Sequence, residues 1–251
     1  MKITLKQVMP HPLSSIKHGT ESIWGNDVVW EPGKKIMLNA ASGKGKSTFT
    51  STVLGLRHDY AGVIAYDGKD VKAFTPDEWT ELRKKKLAVV FQDLQLFPSL
   101  TVKENLLIKN TLTNCFSEAE LISQLDQLGI ADKWEQKCGI LSMGQQQRVA
   151  IIRALAQPYE WLIMDEPFSH LDEVNTQLCM KMIHQRTNDL GAGFVSISGR
   201  WDRGDGFYTA PSATRQPTDV RAAYDSWSTG LRAVAPLADG VELQVRGLIF
   251  Q

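Results

Sequence analysis

Residues 3–8 (ITLKQV) alternate apolar and polar positions, the pattern of a strand with one buried face. Two short apolar runs, 27–30 (DVVW) and 35–39 (KIMLN), predict strands separated by the turn pair Pro32-Gly33. From Ser47 to Leu56 the pattern becomes helical, with Gly55 near its end. Residues 62–66 (GVIAY) predict another strand, closed by a hairpin turn at Asp67-Gly68. Thr75-Pro76-Asp77-Glu78 joins a capping box to a proline at the first helical position and predicts a helix to about Arg83. Residues 87–92 (LAVVFQ) are apolar almost throughout, as in a strand buried on both faces.

Between 93 and 140 the pattern changes. Thr101-x-x-Glu104 and Ser117-x-x-Glu120 are further capping boxes, and the second leads into Leu121, Leu125 and Leu128 at helical spacing. This stretch predicts a small all-helical insert. Ser142 precedes a helix over about 144–156 whose apolar positions include Val149, Ile152 and Leu155. A short buried strand, 161–164 (WLIM), runs into Asp165-Glu166-Pro167. A helix over 173–189 and a strand at 193–198 (GFVSIS) follow. Strands alternating with helices predict an α/β fold: a mostly parallel, helix-covered sheet with an antiparallel β part near the N-terminus and an inserted helical subdomain. The corresponding segments are a core in two parts, 1–92 and 141–198, the insert 93–140 with its functional region extending to about 157, and a tail, 199–251.

Composition narrows the function. The 251 residues carry 28 Lys+Arg and 28 Asp+Glu, and a net charge of zero argues against broad nucleic-acid binding. Three cysteines without metal-ligand spacing fit a reducing, cytoplasmic setting. No stretch reaches the roughly 18 apolar residues of a membrane span. The first ten residues lack the apolar centre of a signal peptide. Any role at a membrane is therefore expected to come through a partner.

The strongest local motif is Ser42-Gly43-Lys44-Gly45-Lys46-Ser47-Thr48, placed between a strand and a helix. Glycines let backbone N–H groups close around phosphate oxygens, and the helix that follows turns its positive end toward them. Lys46 can reach the outer phosphates, and the Ser47 hydroxyl can ligate Mg²⁺. The usual pattern has Gly at position 40, where this chain has Ala40. Asp165 and Glu166 end a buried strand, a place for two carboxylates that face a cation or a reaction centre, although Asp-Glu-Pro is also good turn chemistry. One carboxylate can hold Mg²⁺ while the other activates water.

Further motifs follow in order. Leu141-Ser142-Met143-Gly144-Gln145 leads into Gln146-Gln147-Arg148-Val149-Ala150, and Ser169-His170-Leu171-Asp172 and Val90-Phe91-Gln92-Asp93 flank the carboxylates in the chain. Together with the 42–48 loop these resemble the ATP-binding subunits of ABC transporters, over roughly residues 1–198. The five elements look like that family's Walker A loop, Q-loop, signature, Walker B strand and D-loop. The resemblance implies that two such subunits, identical or different, sandwich ATP head to tail. Ser42, Gly43, Lys44, Gly45, Lys46, Ser47 and Thr48 would then bind the phosphates of one ATP. Ser142, Gly144 and Gln145 would cap its γ-phosphate from the opposite subunit, and Asp172 would couple the two sites. Asp165, Ser47 and Gln92 would surround Mg²⁺ and the attacking water, with Glu166 as general base. The resemblance also implies a membrane permease as partner and a peripheral location on the inner face of the cell membrane. Beside Gln92, the run Leu94, Leu96, Phe97 is either the permease contact or core beneath the insert. The glutamine-rich tract from Gln145 and the short insert look similar to the lipoprotein-release and macrolide-efflux subgroup.

The resemblance breaks in three places. Met143 replaces the first signature glycine. Residues 9–17 hold no aromatic to stack on adenine; His11 is the one candidate there, and Trp24 reads as core. The family's histidine after the last core strand is missing, with Gly199 or Arg200 in its place, and His184 lies too early, inside a helix. Losing one such contact costs on the order of 2.7–4 kcal/mol at a transition state. That slows hydrolysis by about a hundredfold or more. The alternative to an ATPase is thus a hydrolysis-impaired subunit acting as a nucleotide-dependent binding module. The break coincides with a shift in composition: all 17 Lys and all five His precede residue 199, while six of 11 Arg follow it. A frameshift or fusion near residue 199 accounts for both; a diverged tail is the other reading. In that tail Val241, Leu243 and Val245 alternate as a strand does, and 233–237 is apolar.

Overall fold

A computed structural model describes residues 1–19, 22–39 and 45–198 in full, and beyond them only the backbone of four strands. The antiparallel sheet contains β1 (Ile3–Pro10), β2 (Val28–Trp30), β4 (Tyr60–Tyr66) and β5 (Lys69–Asp70), in the order β2-β1-β4-β5. The Asp67-Gly68 pair joins β4 to β5 with Tyr66 opposite Lys69, the tight hairpin its composition predicts. The second sheet is wholly parallel, in the order β3-β8-β7-β6. Its strands are β3 (Lys35–Asn39), β6 (Leu87–Val90), β7 (Trp161–Asp165) and β8 (Gly193–Ser198).

Period-two alternation on the parallel sheet divides the core in two. Trp161, Ile163, Val195 and Ile197 face one side, where they meet Ile3, Leu5, Ile64, Trp30 and Phe49. Leu162, Met164, Ala88, Val90 and Phe194 face the other, against Val149, Ile152, Leu155 and Ile183. Every residue of β7 is buried, as a near-continuous apolar run predicts. The indole N–H of Trp161 is satisfied by the Met1 carbonyl at 2.7 Å.

The helices are α1 (Lys46–Val53), α2 (Pro76–Lys85), α3 (Val102–Asn110), α4 (Glu118–Gln127), α5 (Met143–Leu155) and α6 (Glu173–Asp189). Four of them begin at a capping box: Thr75/Glu78, Thr101/Glu104, Ser117/Glu120 and Ser142/Gln145. In each, the N-cap hydroxyl accepts the N–H three residues on, and that residue's side chain accepts the N-cap N–H. Helices α3 and α4 occupy the 93–140 region, and Leu106, Leu121 and Leu125 bury their apolar stripes in the second core.

One expectation needs correction, and one open alternative is divided. The strand expected to reach Gln92 ends at Val90, so Gln92 lies in the following loop, where its side chain bonds Ser47 of α1 and Glu166 just after β7. The run Leu94, Leu96, Phe97, open between permease contact and core beneath the insert, divides by burial. Leu94 is buried and Leu96 packs on the second core, while Phe97 is 50% exposed. Arg153 fixes this turn by donating to the Leu94 and Gln95 carbonyls, each at 2.6 Å. In the tail, β9 (Asp202–Phe207) pairs with β10 (Ala222–Ser226), and β11 (Val234–Leu237) with β12 (Val241–Gln244), both antiparallel. The strand expected from Val241 and Leu243 is β12; Val245 lies outside the described residues.

Candidate nucleotide site

Because the central strands are parallel, their C-terminal ends share one edge of the sheet. Asp165 closes β7 there, directly opposite Ile197 of β8. Gly45 stands just before α1, as its N-cap, at the same edge with φ 94°, a left-handed conformation that favours glycine, and a Cβ at that position would lie 2.5 Å from the Leu13 side chain. Lys46 is the first residue of α1 and is buried, with its ammonium 3.0 Å from Glu166 Oε1. The Ser47 hydroxyl donates to Gln92 Oε1 at 3.4 Å, and Gln92 Nε2 donates to Glu166 Oε2 at 3.5 Å. The structure therefore brings Lys46, Ser47, Gln92, Asp165 and Glu166 together. Thr48 sits within α1, its carbonyl accepting from Thr52. Ser42, Gly43, Lys44 and Ala40 lie outside the described residues.

Asp165 is 2% exposed. Its Oδ2 accepts from the Thr50 hydroxyl at 3.4 Å, and its Oδ1 has no hydrogen-bond partner among the described residues. Burial pushes this carboxyl above the usual range, and the Ser47 hydroxyl pulls it partly back. A buried carboxylate oxygen with no donor, next to a serine hydroxyl and an amide oxygen, is a set of hard oxygen ligands that suits Mg²⁺. Among the described residues there is no alternative group of three or more His, Cys, Asp or Glu placed to hold a metal.

The signature region and the 166–172 loop lie together. Ser142 caps α5, and Gln145 returns the bond to the Ser142 N–H at 3.0 Å, so both serve the helix terminus. Met143 is 48% exposed. Gly144 packs against the loop: a Cβ there would stand 2.9 Å from the His170 carbonyl oxygen. Asp172 caps α6, accepting both the backbone and side-chain N–H of Asn175 at 2.8 Å, and these bonds hold its carboxyl below the usual range. Sequence reasoning missed Thr50 and Gln147. Thr50 lies one turn beyond Lys46 and shares its face of α1, the spacing that could have flagged it.

His184 points away from this edge. It packs against Phe194 and Lys35, at the N-terminal ends of β8 and β3, opposite the ends that carry Asp165 and Ile197. Trp24 is core, 2% exposed beside Phe49, and His11 lies exposed in a short turn after β1. Positions 199 and 200 lie outside the described residues.

The profile of the ABC transporter family matches residues 27–169, more than half of the chain. The chain belongs to the ABC transporter family. Within it, the chain is similar to the lipoprotein-releasing system ATP-binding protein LolD of Aquifex aeolicus, with 34% identity over 74% of this chain and 84% of that protein. It is also similar to the macrolide export ATP-binding/permease protein MacB of Aggregatibacter actinomycetemcomitans, 34% identical over 62% of this chain and 24% of that protein. The match spans about half, 47%, of an uncharacterized ABC transporter ATP-binding protein of Mycobacterium tuberculosis. Among solved structures, the dimeric bacterial ABC transporter cassette MJ0796 superposes with a TM-score of 0.67 at 26% identity, over 78% of this chain and 87% of that one. A second structure of MJ0796, a post-hydrolysis state bound to ADP and Pi, superposes with a TM-score of 0.64. As an ABC transporter ATP-binding cassette, the chain has its α/β fold, two-sheet core and helical segment in common with those structures. No helix among the described residues is long and apolar enough to cross a membrane.

Proposed function

We propose that this cassette hydrolyses ATP in a head-to-tail pair of subunits and drives a membrane permease from the inner face of the cell membrane. The observation that supports this best is the Glu166 carboxylate at the end of β7, between the Lys46 ammonium and the Gln92 amide. In that position Glu166 takes a proton from water as the water attacks the γ-phosphorus, and the bond to the bridging oxygen breaks to leave ADP and phosphate. Lys46 and the 42–48 loop hold the phosphates. Asp165, Ser47 and Gln92 would hold Mg²⁺, which when bound would offset phosphate charge. Ser142, Gly144 and Gln145 present the N-terminal end of α5 to the ATP of the partner subunit, and Asp172 lies on the loop between the two sites. The likeness to LolD and MacB supports a permease partner, and Phe97, exposed and five residues after Gln92 in the chain, is the candidate for that contact.

Steady-state ATP hydrolysis by the purified chain, with Glu166→Gln as control, tests the proposal. Turnover at least tenfold above the control is expected. Equal rates would support the second reading, a binding module without hydrolysis, which the lack of any histidine after His184 favours.

A further inference from the structure

We propose that Gln147 is a positioning residue that fixes the aim of Glu166 and ties it to the 169–172 loop; this rests on the reading of Glu166 as the general base. Gln147 is fully buried, at 0% exposure. Its Nε2 donates to the Glu166 carbonyl at 3.1 Å, and its Oε1 accepts the His170 N–H at 2.9 Å. A buried amide is stable there only because both ends are bonded. The two bonds fall on the two ends of the turn that carries the carboxylate into the site.

Glu166 needs that support. Its φ is 48°, in the left-handed region that residues with a side chain seldom adopt. Three bonds hold it: its N–H donates to the Ile197 carbonyl at 2.8 Å, and its carbonyl accepts from Ser169 N–H and from Gln147. In this conformation the side chain meets Lys46 and Gln92. Only the Gln147 bond comes from α5.

The neighbouring glutamines do other work. Gln145 closes the cap on Ser142, and Gln146 donates to the Leu141 carbonyl. The third glutamine of the tract, one turn on from Gly144, faces the loop. Arg148 donates to Asn175 Oδ1 at 3.0 Å, and Asn175 holds Asp172. One turn of α5 therefore grips Glu166, His170 and the Asp172 cap. The chemistry demands glutamine: leucine offers neither bond, and an ionised glutamate keeps the acceptor but loses the donor.

The test is steady-state ATP turnover of the full chain, wild type against Gln147→Leu, Gln147→Glu and Glu166→Gln, with KM for ATP and melting temperature measured alongside. The Leu variant is expected to lose at least tenfold in kcat with KM within about twofold of wild type. The Glu variant is expected to lose kcat near neutral pH and to recover toward wild type as pH falls, because its protonated carboxyl again donates to the Glu166 carbonyl. That recovery is a readout that a packing role would not produce, and it stands if the Leu variant fails to fold. Wild-type kcat in either variant near neutral pH, or equal proportional losses in kcat and ATP affinity, overturns the positioning role alone. A wild type no faster than Glu166→Gln overturns the hydrolase reading, and the positioning role with it.

Discussion

Glu166 projects its carboxylate from a backbone conformation that residues with side chains seldom adopt, and Gly144 lies against the loop that makes this possible. The Gly144→Ala substitution puts a methyl carbon 2.9 Å from the His170 carbonyl oxygen, which belongs to the backbone and cannot swing away. It is expected to destabilise the chain by about 1–3 kcal/mol, the usual cost of overpacking. Because the displaced loop also holds Glu166, ATP turnover is expected to fall more than tenfold. A thermal melt and a turnover assay check the two effects, and wild-type turnover in this variant would show that the loop yields freely. The sequence pattern made Lys46, Ser47, Asp165 and Glu166 legible because motif spacing places them where parallel strands end. Gln147 was not legible, since a tract of three glutamines does not say which amide turns inward. That choice is made by the packing of α5 against the loop after β7.

The helices of the 93–140 region owe their starting points to reciprocal caps. Removing the hydroxyl in Thr101→Ala or Ser117→Ala is expected to cost about 1 kcal/mol each, seen as a lower melting temperature. The carboxyls of Glu104 and Glu120 are held below their usual range, first by the N–H groups of Thr101 and Ser117 and then by the hydroxyls of the same residues. A carboxyl lowered in the fold contributes fully above its ordinary pKa, and that contribution is lost as pH falls through the lower folded value. Acid melts followed by helical circular dichroism are therefore expected to show less loss of stability at low pH for Glu104→Gln and Glu120→Gln than for the parent chain. An identical pH dependence would remove the caps as its source. At this scale the sequence was nearly sufficient, because a capping box is a local code. Strand ends were less legible: Phe91 continues the apolar run, but the strand ends at Val90, and Gln92 beyond it reaches Ser47 and Glu166.

Across the whole molecule, the parallel sheet separates two cores. Leu162→Ala empties the helical side and Ile163→Ala the side facing the antiparallel sheet, and each is expected to cost about 2–5 kcal/mol. Chemical denaturation checks these values. A single cooperative transition in both variants is expected, since β7 belongs to both sides. The tail has a different test. Reading the gene in its other two frames near codon 199 is expected to reveal a histidine followed by family-like sequence, and its absence from both would leave a diverged tail. The fold was legible from alternation over residues 3–198, whereas the tail carries none of the motifs that made the rest readable.

The alternation along β7 has a practical consequence. Odd positions of that strand serve one neighbour and even positions the other, so the natural seam between exchangeable parts runs parallel to the sheet. A chimera that imports the 93–140 segment of a relative has to match Leu162 and Met164 on the near face, and can leave Trp161 and Ile163 as they are.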